Sequence, residues 1–226
     1  IVVALDNRRD QTPTDELFKC RLQGVKGLNL VNFFEREAGK ILVDFATPGW
    51  MTLTEDLRSS TSTSFTKRGF DIFASLLLLM ATWPLMLITA LAIWFEDGLK
   101  KPIFFSQERV GLGGKAFRVL KFRSMSVDAE GDGKARWATA NDSRITRVGA
   151  FIRRTRIDEL PQIFNVLSGE MAFIGPRPER PEFVQQLTTQ IPYFNSRHAV
   201  KRGITGWAQL CYPYGSSEKD ALEKLQ

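Results

Sequence analysis

The feature that most constrains this chain is an uncharged apolar run of 24 residues, Ile72 to Phe95, which carries Leu76-Leu77-Leu78-Leu79-Met80 and ends in Ile93-Trp94-Phe95. A stretch of that length without charge has the dimensions of a membrane segment. Pro84 stands at its midpoint, and each arm of about 12 residues would rise roughly 18 Å as a helix, short of the roughly 30 Å hydrocarbon core. The flanks are basic on both sides, Lys67-Arg68 before and Lys100-Lys101 after, and basic residues favour the cytoplasmic side. A helix that enters the membrane, breaks at Pro84 and returns satisfies both observations. Thr82 or neighbouring groups would then cover the carbonyls that proline leaves unpaired. Two other readings stay open on physics alone: one spanning helix with a proline kink, and a hairpin in the core of a soluble domain.

Before this run the pattern is that of an α/β segment. Strand-like Ile1–Leu5, helical Thr14–Leu22, strand-like Val25–Leu28, helical Val31–Ala38 and strand-like Ile41–Asp44 follow in order. Gly39 suits a helix stop, and the polar run Ser59 to Ser64 has the composition of a linker or a capped helix start. A boundary is placed near residue 63, giving 1–63 as the C-terminal part of an α/β, Rossmann-like accessory domain and 64–226 as a second domain with its membrane helix at 72–95. The chain opens on Ile1 with no signal-peptide pattern, so its start reads as an internal cut, with more protein expected upstream.

After the apolar run, Pro102–Phe105 and Phe117–Phe122 read as short strands of a hairpin turned through Gly111-Leu112-Gly113-Gly114. Asp128 to Asp142, with Gly131-Asp132-Gly133, reads as a polar surface loop. Arg144 to Leu167 carries two helical patterns, one with Ile145, Val148, Phe151 and Ile152 as its apolar stripe, the other with Ile163, Phe164 and Leu167.

Charge narrows the partners. The chain has a net charge of +6, with arginines clustered from Arg144 to Arg156, so phosphates on lipids, nucleotides or nucleic acid are its natural ligands. A nucleic-acid partner is not expected, because it leaves the long apolar run unexplained. Two cysteines, Cys20 and Cys211, lie far apart without metal-ligand spacing, and His198 is the single histidine. That argues against a zinc site and a disulfide framework, and all three residues are read as structural.

The segment richest in chemistry is Arg153-Arg154-Thr155-Arg156-Ile157-Asp158-Glu159-Leu160-Pro161-Gln162. Pro161 suits the first turn of a helix, which puts Asp158 and Glu159 at or just before its positive end. One carboxylate could bind a divalent cation while arginines hold phosphate oxygens, as phosphoryl chemistry requires. As a bare motif the pair reads first as a helix cap. Downstream, Gly175-Pro176-Arg177-Pro178 fixes Arg177 between two prolines, useful for bidentate phosphate binding, although a stiff turn pairing with a surface carboxylate explains it as well.

Several separate segments fall in one family's order. They are Lys67-Arg68-Gly69-Phe70-Asp71, Pro102 through Gly111, Phe117 through Met125, Asp158 through Leu167, Gly175-Pro176-Arg177-Pro178 and Gly203-Ile204-Thr205-Gly206-Trp207-Ala208-Gln209. Over roughly residues 66 to 215 the chain resembles the bacterial sugar transferases, the monotopic polyprenyl-phosphate phosphoglycosyl transferases, of the large type whose membrane bundle precedes an extra domain. The resemblance implies an α+β membrane-associated fold: a re-entrant helix-break-helix, then a mostly helical cytoplasmic catalytic domain with a small β-hairpin. It also implies a two-step transfer, from a UDP-sugar to polyprenyl (undecaprenyl) phosphate, in glycoconjugate or exopolysaccharide biosynthesis at the cytoplasmic face of the inner membrane. Asp158 would be the nucleophile, with Mg2+ bound near it and Glu159 assisting as metal ligand or base. Lys121, Arg123, Arg153 and Arg177 would neutralise substrate phosphates.

Membrane lipids are implied as partners, and a homodimer is left open. The chain departs from the family pattern at Trp83-Pro84, where small members have Ser-Pro, and at Arg202, where proline is common; it also stops at Gln226, before the usual C-terminal end. The sugar is unmarked. A membrane-anchored phosphate-binding or regulatory module without catalysis remains the alternative.

Overall fold

A computed structural model describes residues 1–4, 13–40, 61–98, 101–127, 129, 142–212 and 220–221. The expected strand Ile41–Asp44, the linker positions 59–60, the basic flank at Lys100 and most of the polar loop 128–142 lie outside the described residues. Two compact units divide the chain, residues Ile1–Leu57 with Leu225–Gln226, and residues Arg58–Lys224.

In the first unit, β1 (Val2–Val3) pairs in parallel with β2 (Leu28–Asn29), and α1 (Thr14–Leu22) lies between them in sequence. Helix α2 (Leu30–Ala38) follows, capped at its start by the Asn29 side chain, which accepts from the Asn32 amide, and closed by Gly39 at φ 63°. Glycine is suited to that left-handed position because it carries no Cβ.

The second unit opens with α3 (Thr61–Asp97), 37 residues long with Pro84 inside. Its stretch Ser64–Glu96 is long and apolar enough to cross a membrane by length and composition. Helical geometry runs through Pro84, so the break expected there is not an interruption of the helix, and any change of direction is a bend. Proline removes the bond to the Met80 carbonyl. The Thr82 hydroxyl does not cover that carbonyl: it donates to the Leu78 carbonyl at 2.7 Å, a back-bond of the kind that bends helices.

Among the described residues, one stripe of α3 packs on protein. Met86 and Ile93 form a buried cluster with Phe122 and Ile152, while Phe73, Met80, Ile88 and Phe95 point outward. Both ends of the helix are tied to one short stretch of the unit, residues 147–173. Near its start, Arg68 donates to the carbonyls of Val166 and Leu167 at 2.6 and 2.7 Å, and the buried Asp71 accepts from the Phe173 amide. Near its end, the Glu96 carboxylate accepts from the amides of Arg147 and Val148.

The hairpin is present and longer than expected: β3 (Phe104–Val110) pairs antiparallel with β4 (Ala116–Phe122). Alternating polar residues such as Gln107 and Arg109 carry it beyond its apolar start. Helices α4 (Arg147–Arg154) and α5 (Gln162–Ser168) flank a single 3-10 turn, Ile157–Glu159. In the expected stripes Ile152 and Ile163 are buried, but Phe151 and Phe164 are exposed, and Val166 takes the core position instead. Strand β5 (Met171–Ile174) pairs in parallel with β6 (Arg202–Thr205), and α6 (Pro181–Gln190) and α7 (Trp207–Cys211) complete the unit. A second cluster of Val119, Val166 and Met171 joins β4, α5 and β5, which fixes the hairpin beside the acidic turn.

Candidate active site

Asp158 and Glu159 occupy the 3-10 turn between α4 and α5, with Pro161 at the start of α5 as its fixed φ favours. Arg156, before the turn, is held at φ 61°. A left-handed non-glycine residue is uncommon and is tolerated where surrounding contacts impose it. Both carboxylates are buried, although carboxylates are seldom buried without partners.

Glu159 has those partners. Its Oε1 accepts from Lys121 Nζ at 3.0 Å and from Arg177 Nη2 at 2.6 Å, and Arg156 Nη1 stands 3.7 Å away. Burial alone would raise its pKa, but the charges of Lys121 and Arg177 and their hydrogen bonds outweigh burial and hold it down at about 2. The two ion pairs suit Glu159 to orienting Lys121 and Arg177.

Asp158 differs in kind. Its Oδ1 is buried and has no hydrogen-bond partner among the described residues. Burial, aided by the charge of Glu159, raises its pKa, against the opposing pull of Lys121, Arg153 and Arg156. Burial lowers the pKa of Lys121, and the Arg177 charge adds to that even with Glu159 alongside. The two carboxylates thus sit among Lys121, Arg153, Arg156 and Arg177, an excess of positive charge that favours an incoming anion.

Of the residues expected from sequence, Lys121 and Arg177 join the pair directly, and Arg153 acts on Asp158 through its charge. Arg123 has another described role: 5% exposed, it donates from Nε to the Pro102 carbonyl at 2.6 Å and clamps the base of the hairpin. Arg156 was missed, because nothing in a run of basic residues marks the one whose backbone is left-handed. Also missed was a cavity of about 340 Å³ whose lining combines the charged Arg156, Glu159 and Arg177 with the apolar Leu78, Leu160 and Leu210. Leu78 belongs to the apolar helix, so side chains of that helix and of the acidic turn line one cavity. Gln209 also lines it, with a buried Oε1 that has no described partner.

Residues 62–226 match the family described as bacterial sugar transferase. This chain belongs to that family. Among the relatives of this sugar-transferase family member is the UDP-N-acetylgalactosamine-undecaprenyl-phosphate N-acetylgalactosaminephosphotransferase of Aeromonas hydrophila, 40% identical over 210 residues that cover 93% of this chain and 48% of that protein. The UDP-glucose:undecaprenyl-phosphate glucose-1-phosphate transferase of Xanthomonas campestris is 47% identical over 62% of this chain and 28% of its own length. The enzyme of the same name from Escherichia coli is 44% identical over 71% of this chain and 33% of its own. The chain therefore spans half or less of the length of these relatives.

Proposed function

We propose that this chain transfers a sugar phosphate from a UDP-sugar to undecaprenyl or a related polyprenyl phosphate through a phosphosugar intermediate on Asp158. The observation that carries the reading is the buried Asp158 Oδ1, without a described partner beside an excess of cations. In the first step a carboxylate oxygen of Asp158 attacks the sugar-bearing phosphorus, a new P–O bond forms, the diphosphate P–O bond breaks and UMP leaves with its electron pair. In the second, a phosphate oxygen of the lipid attacks the same phosphorus, the bond to Asp158 breaks and the carboxylate is regenerated. Arg177, Lys121, Arg153 and Arg156 stabilise the phosphate charge in both steps. The relatives' names differ in sugar but share the undecaprenyl-phosphate acceptor, in keeping with a common phosphate site and a sugar contact that varies.

Mg2+ fits this donor set. It is commonly held by one or two carboxylates together with substrate phosphates, and Asp158 Oδ1 offers one such oxygen. When bound, it would supply further neutralisation of the diphosphate.

The anchors of α3 support a re-entrant path. Arg68 and Glu96 are separated by about 42 Å along a straight helix, more than the hydrocarbon thickness, yet both bind residues 147–173. A helix spanning the bilayer would carry these anchors to opposite sides of the membrane. A re-entrant path bent at Pro84, with both ends and the catalytic unit on the cytoplasmic face, satisfies them.

The test is UMP release from UDP-sugars with a short polyprenyl phosphate, in the wild type and in Asp158→Asn. Release that depends on Mg2+ and disappears in the variant is expected. Release that persists in Asp158→Asn would remove the nucleophile assignment, and a wild type that binds phosphates without releasing UMP would favour the non-catalytic module.

A further inference from the structure

The turn that carries Arg177 is held carbonyl by carbonyl. Pro176 O accepts from the Gly203 amide at 3.0 Å, Arg177 O from Arg197 Nη2 at 2.9 Å, Pro178 O from Arg109 Nη1 at 3.2 Å and Glu179 O from the Val110 amide at 3.0 Å. Gly175 donates to Thr205 O at 2.9 Å. Backbone packs on backbone here: a Cβ on Gly203 would lie 2.2 Å from the Gly175 nitrogen.

Behind the turn lies a second guanidinium, that of Arg202, which is 1% exposed. Each of its nitrogens is engaged. Nε donates to Val110 O at 3.0 Å, Nη1 to Arg197 O at 2.8 Å, and Nη2 bonds His198 Nδ1. Val110 and Arg197 are the residues that hold Glu179 O and Arg177 O. One buried side chain thus ties together two of the clamps on the turn. The bond to Nδ1 requires a neutral imidazole with its proton on Nε2, and burial and the nearby guanidinium lower the proton affinity of His198 accordingly. Glu179 supplies opposing charge to both arginines.

We infer that the partly buried Arg197 and the buried Arg202 form a relay that positions Arg177, and through it Glu159, without either contributing a hydrogen bond to the acidic pair. Both are positioning residues: they act through the backbone of Arg177. The inference rests on the proposed role of Arg177 at the phosphate site.

The experiment compares the full chain with Arg197→Met, Arg197→Lys and Arg202→Met, each also combined with Arg177→Lys, by UMP release and by amide hydrogen exchange. Displacing a positioned group by about 1 Å can cost about 100-fold, so Arg197→Met is expected to lower kcat/KM by about 10- to 100-fold. Arg197→Lys, which keeps one donor and the charge, should recover part of that loss. In the Arg177→Lys background the same replacements should cost less than about 3-fold, because residues acting through one another are not additive.

A role confined to stability predicts instead that the losses multiply, and that result would overturn the relay. Exchange gives a readout independent of catalysis: the amides of Val110, Gly175 and Gly203 should exchange faster in Arg197→Met, Arg197→Lys and Arg202→Met, while that of Leu120 in the hairpin stays protected. If the wild type releases no UMP, the proposed transfer fails, and exchange alone judges the relay. Unchanged exchange at all three amides in variants that fold would overturn it.

Discussion

Replacing Glu159 with glutamine should destabilise the catalytic unit strongly at neutral pH and progressively less in acid. The carboxylate is buried and pairs with Lys121 and Arg177, so the neutral amide leaves two cations facing each other with little water. Breaking a buried pair in this way costs about 3–5 kcal/mol. The pKa gives a second route to the magnitude. A fall from 4.5 to about 2 corresponds to about 3 kcal/mol of stabilisation when the group is fully ionised.

The sign follows from the depressed pKa: the contribution is complete above pH 4.5 and is lost as pH falls through about 2. For a unit of this size about 3 kcal/mol shifts Tm by roughly 6–12 °C. The assay is thermal unfolding of detergent-solubilised wild type and Glu159→Gln with a chelator present, from pH 7 to pH 3. Linkage predicts that the difference in stability shrinks to about 40% of its neutral value at pH 3. A difference that stays constant over that range, or one below about 1 kcal/mol at pH 7, would refute the assignment of Glu159 as the ionised centre of the cluster.

Two further outcomes follow from geometry outside the acidic pair. A Cβ at Gly149 would lie 2.0 Å from the Ser124 carbonyl oxygen, so Gly149→Ala should destabilise by more than about 1 kcal/mol although alanine ordinarily favours a helix; calorimetry showing a stabilised variant would contradict that contact. Cysteines introduced as Lys67→Cys and Lys101→Cys should both resist an impermeant thiol reagent applied outside spheroplasts and both react after permeabilisation. Labelling of one from outside would contradict the re-entrant path.

The parts legible in the sequence are those set by local chemistry. The apolar run Ile72–Phe95 announces itself by length, Pro161 marks the start of α5, and Gly39 marks the end of α2. The acidic pair was legible as a motif, but its asymmetry was not. Lys121 reaches Glu159 across 38 residues and Arg177 across 18, and those contacts make one carboxylate a held anion, while an oxygen of the other has no partner among the described residues. Phe151 and Phe164 fit helical stripes yet face outward, since periodicity cannot tell a protein core from another apolar surface. The parallel pairing of β5 with β6 brings Met171 beside Arg202 over a long connection. No local pattern in Lys201-Arg202-Gly203 shows that its guanidinium lies behind the Arg177 turn.

The measurement closest to the central claim is the intact mass of the protein after incubation with a UDP-sugar and Mg2+ in the absence of lipid acceptor. An adduct equal to one sugar phosphate is expected, mapped by fragmentation to Asp158, released on adding a polyprenyl phosphate and absent in Asp158→Asn. A wild type that releases UMP with acceptor but never carries the adduct, or an adduct that survives in Asp158→Asn, would contradict it.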